Sequence, residues 1–240
     1  MAGPYRVVMP DPFFDQAYRG RPPWDIGRPQ PAFVELANAG AITGSVLDLG
    51  CGTGEVTLEM AERGHEAWGI DISPNAIDQA KAKAKLRGLE AVFLVGNALE
   101  IEHLNRTFDT VIDCGLFHVF SDPERDLYAD QLAHVLKQGG TLHILCLSDW
   151  EDASWGGPRR VSQAEIIDTF REGWRVDDIR EARFVVDPRI RIKGHSWLAT
   201  LVREGPAPKR RKKAKPGLQH PPGGLKPTPK LPVIAAGLAT

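Results

Sequence analysis

The stretch Val46-Leu47-Asp48-Leu49-Gly50-Cys51-Gly52-Thr53-Gly54-Glu55 limits the possible folds of this chain more than any other. An apolar run carrying one acid leads into three glycines at spacing two, and then into an amphipathic pattern with Val56, Leu58, Met60 and Ala61 on it. That order reads as strand, tight turn and helix. Glycines at such a turn let the backbone pass close to a bound molecule. The helix behind them begins with amide N–H groups that have no partner inside the helix. A ligand pocket is therefore expected at this turn, at the C-terminal end of a strand.

The spacing narrows the ligand. The dinucleotide fingerprint G-x-G-x-x-G/A fails in both registers, because the third position is Glu55 counted from Gly50 and Thr57 counted from Gly52. The pattern present is D-x-G-x-G-x-G. Asp48 would repel a pyrophosphate but could hold a cationic group nearby. S-adenosylmethionine carries an ammonium and a sulfonium and no phosphate, so an acid followed by glycines favours it over NAD.

Around this turn, strand-like and helix-like segments alternate. Strands are expected over 45–49, 66–71, 91–95, 108–113 and 141–147. A helix follows the glycine turn to about Arg63. Another starts at the Ser73 cap with Pro74 in its first turn and runs to Gly88, and a third spans 122–136, stopped by Gly139-Gly140. This alternation predicts an α/β fold with a parallel sheet. After a helix over 163–171, the runs 174–186 and 196–202 are joined by a connection too short for a helical crossover, so they are expected to pair antiparallel. Before the first strand, Pro29-Gln30-Pro31 opens a short helix with Phe33, Leu36 and Ala37 on its apolar stripe.

The charge of −1 hides an asymmetry. Residues 205–240 carry eight Lys or Arg, eight Pro and no acid, a composition that cannot bury enough surface to fold and is read as a disordered basic tail. The run Lys209-Arg210-Arg211-Lys212-Lys213-Ala214-Lys215 could touch nucleic acid or an anionic surface, but no aromatic residue interleaves it. The expected organisation is a cap or lid segment over 1–44, a folded domain over 45–204 and the tail over 205–240. Cys51, Cys114 and Cys146 make neither a metal spacing nor a disulfide framework, which fits a reducing cytoplasm. No stretch approaches the length of a membrane span, and the first residues lack a signal-peptide block.

Together these motifs resemble the class I S-adenosylmethionine-dependent methyltransferases over about residues 10–204. Val46–Gly54 is similar to the family's cofactor loop, Gly69-Ile70-Asp71 to its second-strand acid and Gly96-Asn97-Ala98 to the segment bordering adenine. Phe108–Asp113 is similar to its fourth-strand motif, and Leu136-Lys137-Gln138-Gly139-Gly140 to the turn before strand five. The resemblance implies a Rossmann-like seven-stranded, mostly parallel sheet of order 3-2-1-4-5-7-6, with strand seven antiparallel and helices on both faces. Asn97 departs from the family's usual Asp, and it can still accept from an adenine amino group. The stretches Trp24–Pro31 and Asp113–Phe120 are similar to small bacterial methyltransferases related to thiopurine, quinolone and benzoquinone methyltransferases. These act on small, flat acceptors.

The expected cofactor set is Trp24, Gly27, Gln30, Asp48, Gly50, Cys51, Gly52, Gly54, Asp71, Ile72, Asn97, Ala98, Asp113 and Cys114, with S-adenosylhomocysteine as product. Asp71 is expected to accept from the ribose hydroxyls. Trp24 and 27–30 are expected to fold over the cofactor, with Gln30 or Arg28 meeting its carboxylate. His118 is the candidate general base, since an imidazole near neutrality can take a hydroxyl proton. Phe117, Asp149, Trp150 and Trp155 are the candidate acceptor-binding residues. No metal is expected. The expected partner is a small-molecule hydroxyl or thiol, and the chain is expected to be a monomer or dimer. An RNA methyltransferase using the basic tail and a non-catalytic S-adenosylmethionine-binding protein stand as alternatives. Nucleic acid is disfavoured by the acidic folded part and by the absence of an Asn-Pro-Pro-aromatic loop after the fourth strand.

Overall fold

The computed structural model describes residues 11–190 and 192–205. The basic tail reading, apart from Gly205, lies outside them.

Seven strands form one sheet in the order β3-β2-β1-β4-β5-β7-β6. They are β1 (Val46–Leu49), β2 (Ala67–Asp71), β3 (Val92–Val95), β4 (Phe108–Cys114), β5 (Leu136–Leu147), β6 (Trp174–Arg183) and β7 (His195–Arg203). Strands β1 to β5 run parallel, and β7 pairs antiparallel with both β5 and β6. The expected order and the antiparallel terminal hairpin are both present. Because the order reverses beside β1, the crevice of an open α/β sheet falls at the C-terminal ends of β1 and β4.

The helices are α1 (Pro12–Ala17), α2 (Pro31–Asn38), α3 (Glu55–Glu62), α4 (Pro74–Arg87), α5 (Asp122–Val135) and α6 (Gln163–Thr169). Their starts follow local chemistry. Asp11 caps α1 through the amides of Phe13 and Phe14, Ser73 caps α4, and Ser162 with Glu165 makes a reciprocal capping box on α6. Gly88 closes α4 in the left-handed region at φ 65°.

Burial separates the two faces. On one, α5 and α6 cover Val111, Ile144, Cys146, Trp197 and Phe170. On the other, α2 and α3 cover Val46, Ile112, Leu145, Leu147 and Leu198, and Trp24, Cys114, Trp155 and Phe184 pack on the same cluster. A smaller group formed by Leu58, Ile77, Ala80 and Phe93 seats α4 beside β3.

One expectation about the backbone is corrected. Gly139-Gly140 does not end α5, which stops at Val135, where the chain turns straight into β5. The register between β4 and β5 shifts from Phe108↔Leu136 to Thr110↔Thr141, so Asp109 faces a bulge over 137–140. Gly139 takes φ 79°, and a Cβ on Gly140 would stand 2.9 Å from the Asp109 carbonyl oxygen. Glycines at a bulge and glycines at a helix stop look alike in a sequence.

Candidate active site

The glycine turn is tied directly to the strand beside it. The amides of Gly50 and Cys51 both donate to the Ile70 carbonyl, at 2.8 and 3.0 Å, and the Gly52 amide donates to Asp71 Oδ2 at 2.8 Å. The loop thus spends these N–H groups on β2 and on its acid instead of leaving them for an anion. Asp71 Oδ1 takes the Ser73 amide at 2.9 Å. Burial raises the Asp71 carboxyl above its ordinary value. Each of its oxygens keeps a lone pair for a further donor. Ser73, and not Asp71, caps α4.

Asp48 lies below the loop, almost fully buried. Its Oδ2 accepts from Thr57 Oγ1 at 2.7 Å, while its Oδ1 is buried with no partner. Burial, opposed by the Thr57 bonds and reinforced by Asp71 and Asp113, pushes its pKa up to about 7. An orphaned carboxylate oxygen beneath a glycine cradle fits a cationic ligand group. Cys51 is half-buried, and burial drives its thiol well above the ordinary range, as it does for Cys114. Neither thiol is a nucleophile at neutral pH.

The segment before the sheet covers this turn. Tyr18 is buried against it: a Cβ on Gly52 would lie 2.6 Å from the Tyr18 Oη. Trp24 Nε1 donates to Tyr18 Oη at 2.9 Å, and the two rings meet edge to face. Thr53 Oγ1 donates to Asp25 Oδ2 at 2.9 Å, and the Gly27 amide donates to Asp25 Oδ1. Trp24 and Gly27 are therefore held by the glycine turn. Gln30 is not free for a ligand carboxylate. It is buried, and it exchanges two bonds with the Val185 backbone, at 2.7 and 2.9 Å. Arg28 is exposed. Tyr18 was missed in the sequence because one tyrosine in an irregular segment carries no pattern.

Asn97 uses its Oδ1 to cap the turn Ala98–Leu104 through the Leu99 amide at 2.9 Å, which leaves its amide group as the available donor. Ala98 is buried beside it, and Ile72 is half-buried after β2. Asp113 is a buried anchor. Its Oδ1 accepts the Leu116 and Phe117 amides, and its Oδ2 accepts the Tyr128 hydroxyl at 2.9 Å. Desolvation, offset by these bonds, leaves its pKa at about 6. It fixes the loop after β4 and has no oxygen left without a partner.

The candidate base and acceptor residues fare differently. His118 is buried, and its Nδ1 accepts from the Leu147 amide at 3.0 Å. Burial, with Arg125 and Arg160 adding to it, depresses its pKa to about 3. A ring whose basic nitrogen already holds a backbone N–H is not a general base at neutral pH. Phe117 is fully buried under Phe170 with the Arg125 guanidinium 4.5 Å from its centroid, so it lines the core and not a pocket. Asp149 accepts from Trp197 Nε1 at 3.2 Å, and Trp150 is 56% exposed and stands edge-on to Trp197. Trp155 packs instead with the cluster containing Trp24 and Phe184 on the opposite face. The sheet thus separates two tryptophans that adjacency in sequence had grouped. Glu151, buried, binds the Trp155 indole and the Lys193 and His195 amides, fastening this loop to the β6–β7 connection. Phe184, against His118 at 5.8 Å, is the aromatic neighbour that sequence reasoning missed.

A 3-2-1-4-5-7-6 sheet with a glycine turn after β1 and an acid at the end of β2 defines the class of Rossmann-like S-adenosylmethionine-binding proteins. Comparison with known proteins identifies the family. Residues 46–140 match the family model described as a methyltransferase domain. The 2-heptyl-1-hydroxyquinolin-4(1H)-one methyltransferase of Mycobacteroides abscessus is 37% identical over 183 residues, 71% of this chain and 79% of that protein. The Arabidopsis thaliana protein named probable thiol methyltransferase 2 is 30% identical over 61% of this chain and 65% of its own. A solved structure described by the conversion of a disulfide bond into a thioacetal group during echinomycin biosynthesis is 39% identical. It superposes with a TM-score of 0.73 over 80% of this chain and 92% of that one. The chain belongs to the S-adenosylmethionine-dependent methyltransferases, and S-adenosylmethionine is its cofactor.

Proposed function

We propose that this enzyme methylates the hydroxyl or thiol of a small aromatic acceptor. The observation that carries this reading is the 37% identity to a hydroxyquinolone methyltransferase across most of both chains. The aromatic residues Trp24, Trp155 and Phe184, which share one hydrophobic cluster with Cys114, support it, since aromatic surface suits a flat molecule.

When bound, S-adenosylmethionine supplies an activated methyl group on a sulfonium, so the protein's work is alignment and exclusion of water. The residues present fit this cofactor. Gly50, Gly52 and Gly54, all at positive φ, form a turn in which a side chain would press on Leu116, Tyr18 or Phe93, and the orphaned Asp48 Oδ1 suits a nearby ammonium. In this reading Asp71 and Ile72 hold the ribose, Asn97 and Ala98 border the adenine, and Cys51 and Cys114 supply small packing surface. Tyr18, Trp24 and Gly27 close the site from above as part of the N-terminal cap, described from residue 11 to 44. The folded domain of 45–204 carries the chemistry, and the tail from 205 is dispensable for it. Among the described residues no helix is long and apolar enough to cross a membrane, and a cytoplasmic enzyme fits three free cysteines.

The test is a methyl-transfer screen over hydroxyquinolones, phenols, aryl thiols and RNA, read as S-adenosylhomocysteine release, with the full chain and a chain ending at residue 204. Turnover of small acceptors by both supports the proposal. Turnover of RNA alone, lost with the tail, overturns it.

A further inference from the structure

We propose that His118 binds the acceptor through its Nε2–H as a hydrogen-bond donor to an oxygen or sulfur that arrives already deprotonated. This rests on the small-acceptor reading above and specifies its substrate class.

The tautomer follows from one bond. The Leu147 amide can only donate, so the Nδ1 it meets at 3.0 Å is unprotonated, and the ring proton sits on Nε2. Among the described residues nothing accepts from Nε2, although the side chain is about 95% buried, with 5% of its surface accessible. Nε2 is not among the fully buried polar atoms that lack a partner, so the small accessible part of this residue includes that N–H, which water or a ligand can accept from. Its place in the fold supports a ligand. His118 follows the turn after β4 and is bonded to the last residue of β5, at the crevice where open α/β sheets bind their substrates.

The ring is held firmly. Asp113 takes the Leu116 and Phe117 amides, Tyr128 holds Asp113, and Arg125 Nε donates to the Phe117 carbonyl. Phe184, just after β6, stands 5.8 Å from the ring, and the charges whose field reaches it are Arg125 on α5 and Arg160 in the loop after β5. Both charged neighbours are cations, which keep the imidazole neutral and favour an anion beside it.

A neutral donor cannot take a proton from the acceptor. The acceptor must therefore lose its own proton to solvent before it binds. N-hydroxy heterocycles, acidified phenols and aryl thiols meet this condition, and aliphatic alcohols do not. The acceptor's lone pair then forms the bond to the methyl carbon, the carbon–sulfonium bond breaks, and its electron pair stays on sulfur. The His118 N–H is unchanged throughout. Because the anion's charge is spent as the methyl arrives, this bond is stronger in the ground state than in the transition state. It selects and orients the ionised acceptor and does not accelerate transfer.

The experiment uses the full-length enzyme with a series of phenols and aryl thiols of graded acidity. For His118→Leu, the acceptor KM should rise by about tenfold or more while kcat changes by less than about threefold. His118→Gln, which can accept from the Leu147 amide and still donate, should restore most of the KM. The rising limb of kcat/KM with pH should follow each acceptor's own acidity, in wild type and His118→Leu alike. Nitrogen-15 NMR of histidine-labelled wild type should find His118 protonated on Nε2 and not titrating between about pH 5 and 9. An unchanged KM in His118→Leu, a titrating His118, or a pH limb that is fixed across acceptors and lost with the histidine overturns the donor role while leaving the small-acceptor reading intact. An enzyme that binds S-adenosylmethionine but methylates none of these compounds overturns both.

Discussion

Asp15 Oδ1 accepts the hydroxyl of Ser73 at 2.8 Å, across 58 residues of chain. Asn75 completes the junction, its amide on Oδ1 at 3.1 Å and its side chain on Oδ2 at 2.9 Å. Ser73 caps α4 and gives its own amide to Asp71, so α1 is latched to the turn that follows the acid at the end of β2. The Asn75 amide and the Ser73 hydroxyl hold the Asp15 carboxyl below the ordinary range. Replacing Asp15 with Asn puts donors where donors already converge. S-adenosylhomocysteine should then dissociate about three- to tenfold faster, with little change in kcat, since the latch touches no reacting atom. Stopped-flow displacement checks this, and an unchanged off-rate removes the latch.

Gly52 leaves no room for a side chain. It sits at φ 53°, and a Cβ there would meet the Tyr18 hydroxyl at 2.6 Å. Left-handed backbone costs an L-residue about 1–2 kcal/mol, and Tyr18 must also move, taking the Trp24 indole with it. Gly52→Ala should weaken cofactor binding by at least about tenfold while thermal unfolding stays cooperative. Calorimetric titration with S-adenosylhomocysteine decides it.

The sheet order, the antiparallel last strand and the glycine cradle were legible because each rests on short-range pattern: alternation of strand and helix, an acid and glycines at fixed spacing, a connection too short to cross over. The site's finer assignments were less legible because they depend on partners far along the chain. Gln30 sits in a segment that suggests a lid, yet its amide is spent on Val185, 155 residues away. His118 lies between Phe117 and Val119 and could equally have been a base. Only the Leu147 amide decides which nitrogen carries its proton. Trp150 and Trp155 are near neighbours in sequence, but the end of β5 sends them to opposite faces. Polar side chains with distant partners leave no periodic trace.

Asp48 predicts a proton linked to cofactor binding. Its pKa of about 7 in the ligand-free protein exceeds the ordinary carboxylate value of 3.8, because burial disfavours the charge. A nearby ammonium favours the ionised form, so binding below pH 7 must expel a proton. Affinity for S-adenosylmethionine should therefore fall as pH drops below 7, by up to about tenfold per pH unit, and level off above 7. Titrations in buffers of different ionisation enthalpy should detect proton release at pH 6 and little at pH 8. In Asp48→Asn the pH dependence should flatten. Equal affinity at pH 5.5 and 7.5 in wild type contradicts the linkage.

His143 predicts a loss of stability in acid. It is buried on β5, its Nδ1 meets the Thr200 hydroxyl on β7 at 3.0 Å, and its Nε2 faces the Ala41 carbonyl at 3.4 Å. The carbonyl can only accept, so Nε2 carries the hydrogen and Nδ1 takes the Thr200 hydroxyl, a neutral ring with both nitrogens satisfied. Burial lowers its pKa from 6.5 to about 4. Between those values the unfolded chain binds a proton that the folded one refuses, so stability is present above pH 6.5 and is lost as pH falls towards 4. Asp48 acts in reverse over much of the same range, because its folded form holds the proton longer. The net slope of the wild type is therefore uninformative, and the difference between variants is the measurement. His143→Gln, which keeps a donor and an acceptor, should be less stable than wild type at pH 7.5. The gap should narrow by up to about 1.4 kcal/mol per pH unit between pH 6 and 4.5, as measured by urea unfolding. A gap that stays constant with pH places the His143 pKa near its ordinary value and removes this residue from the acid sensitivity of the fold.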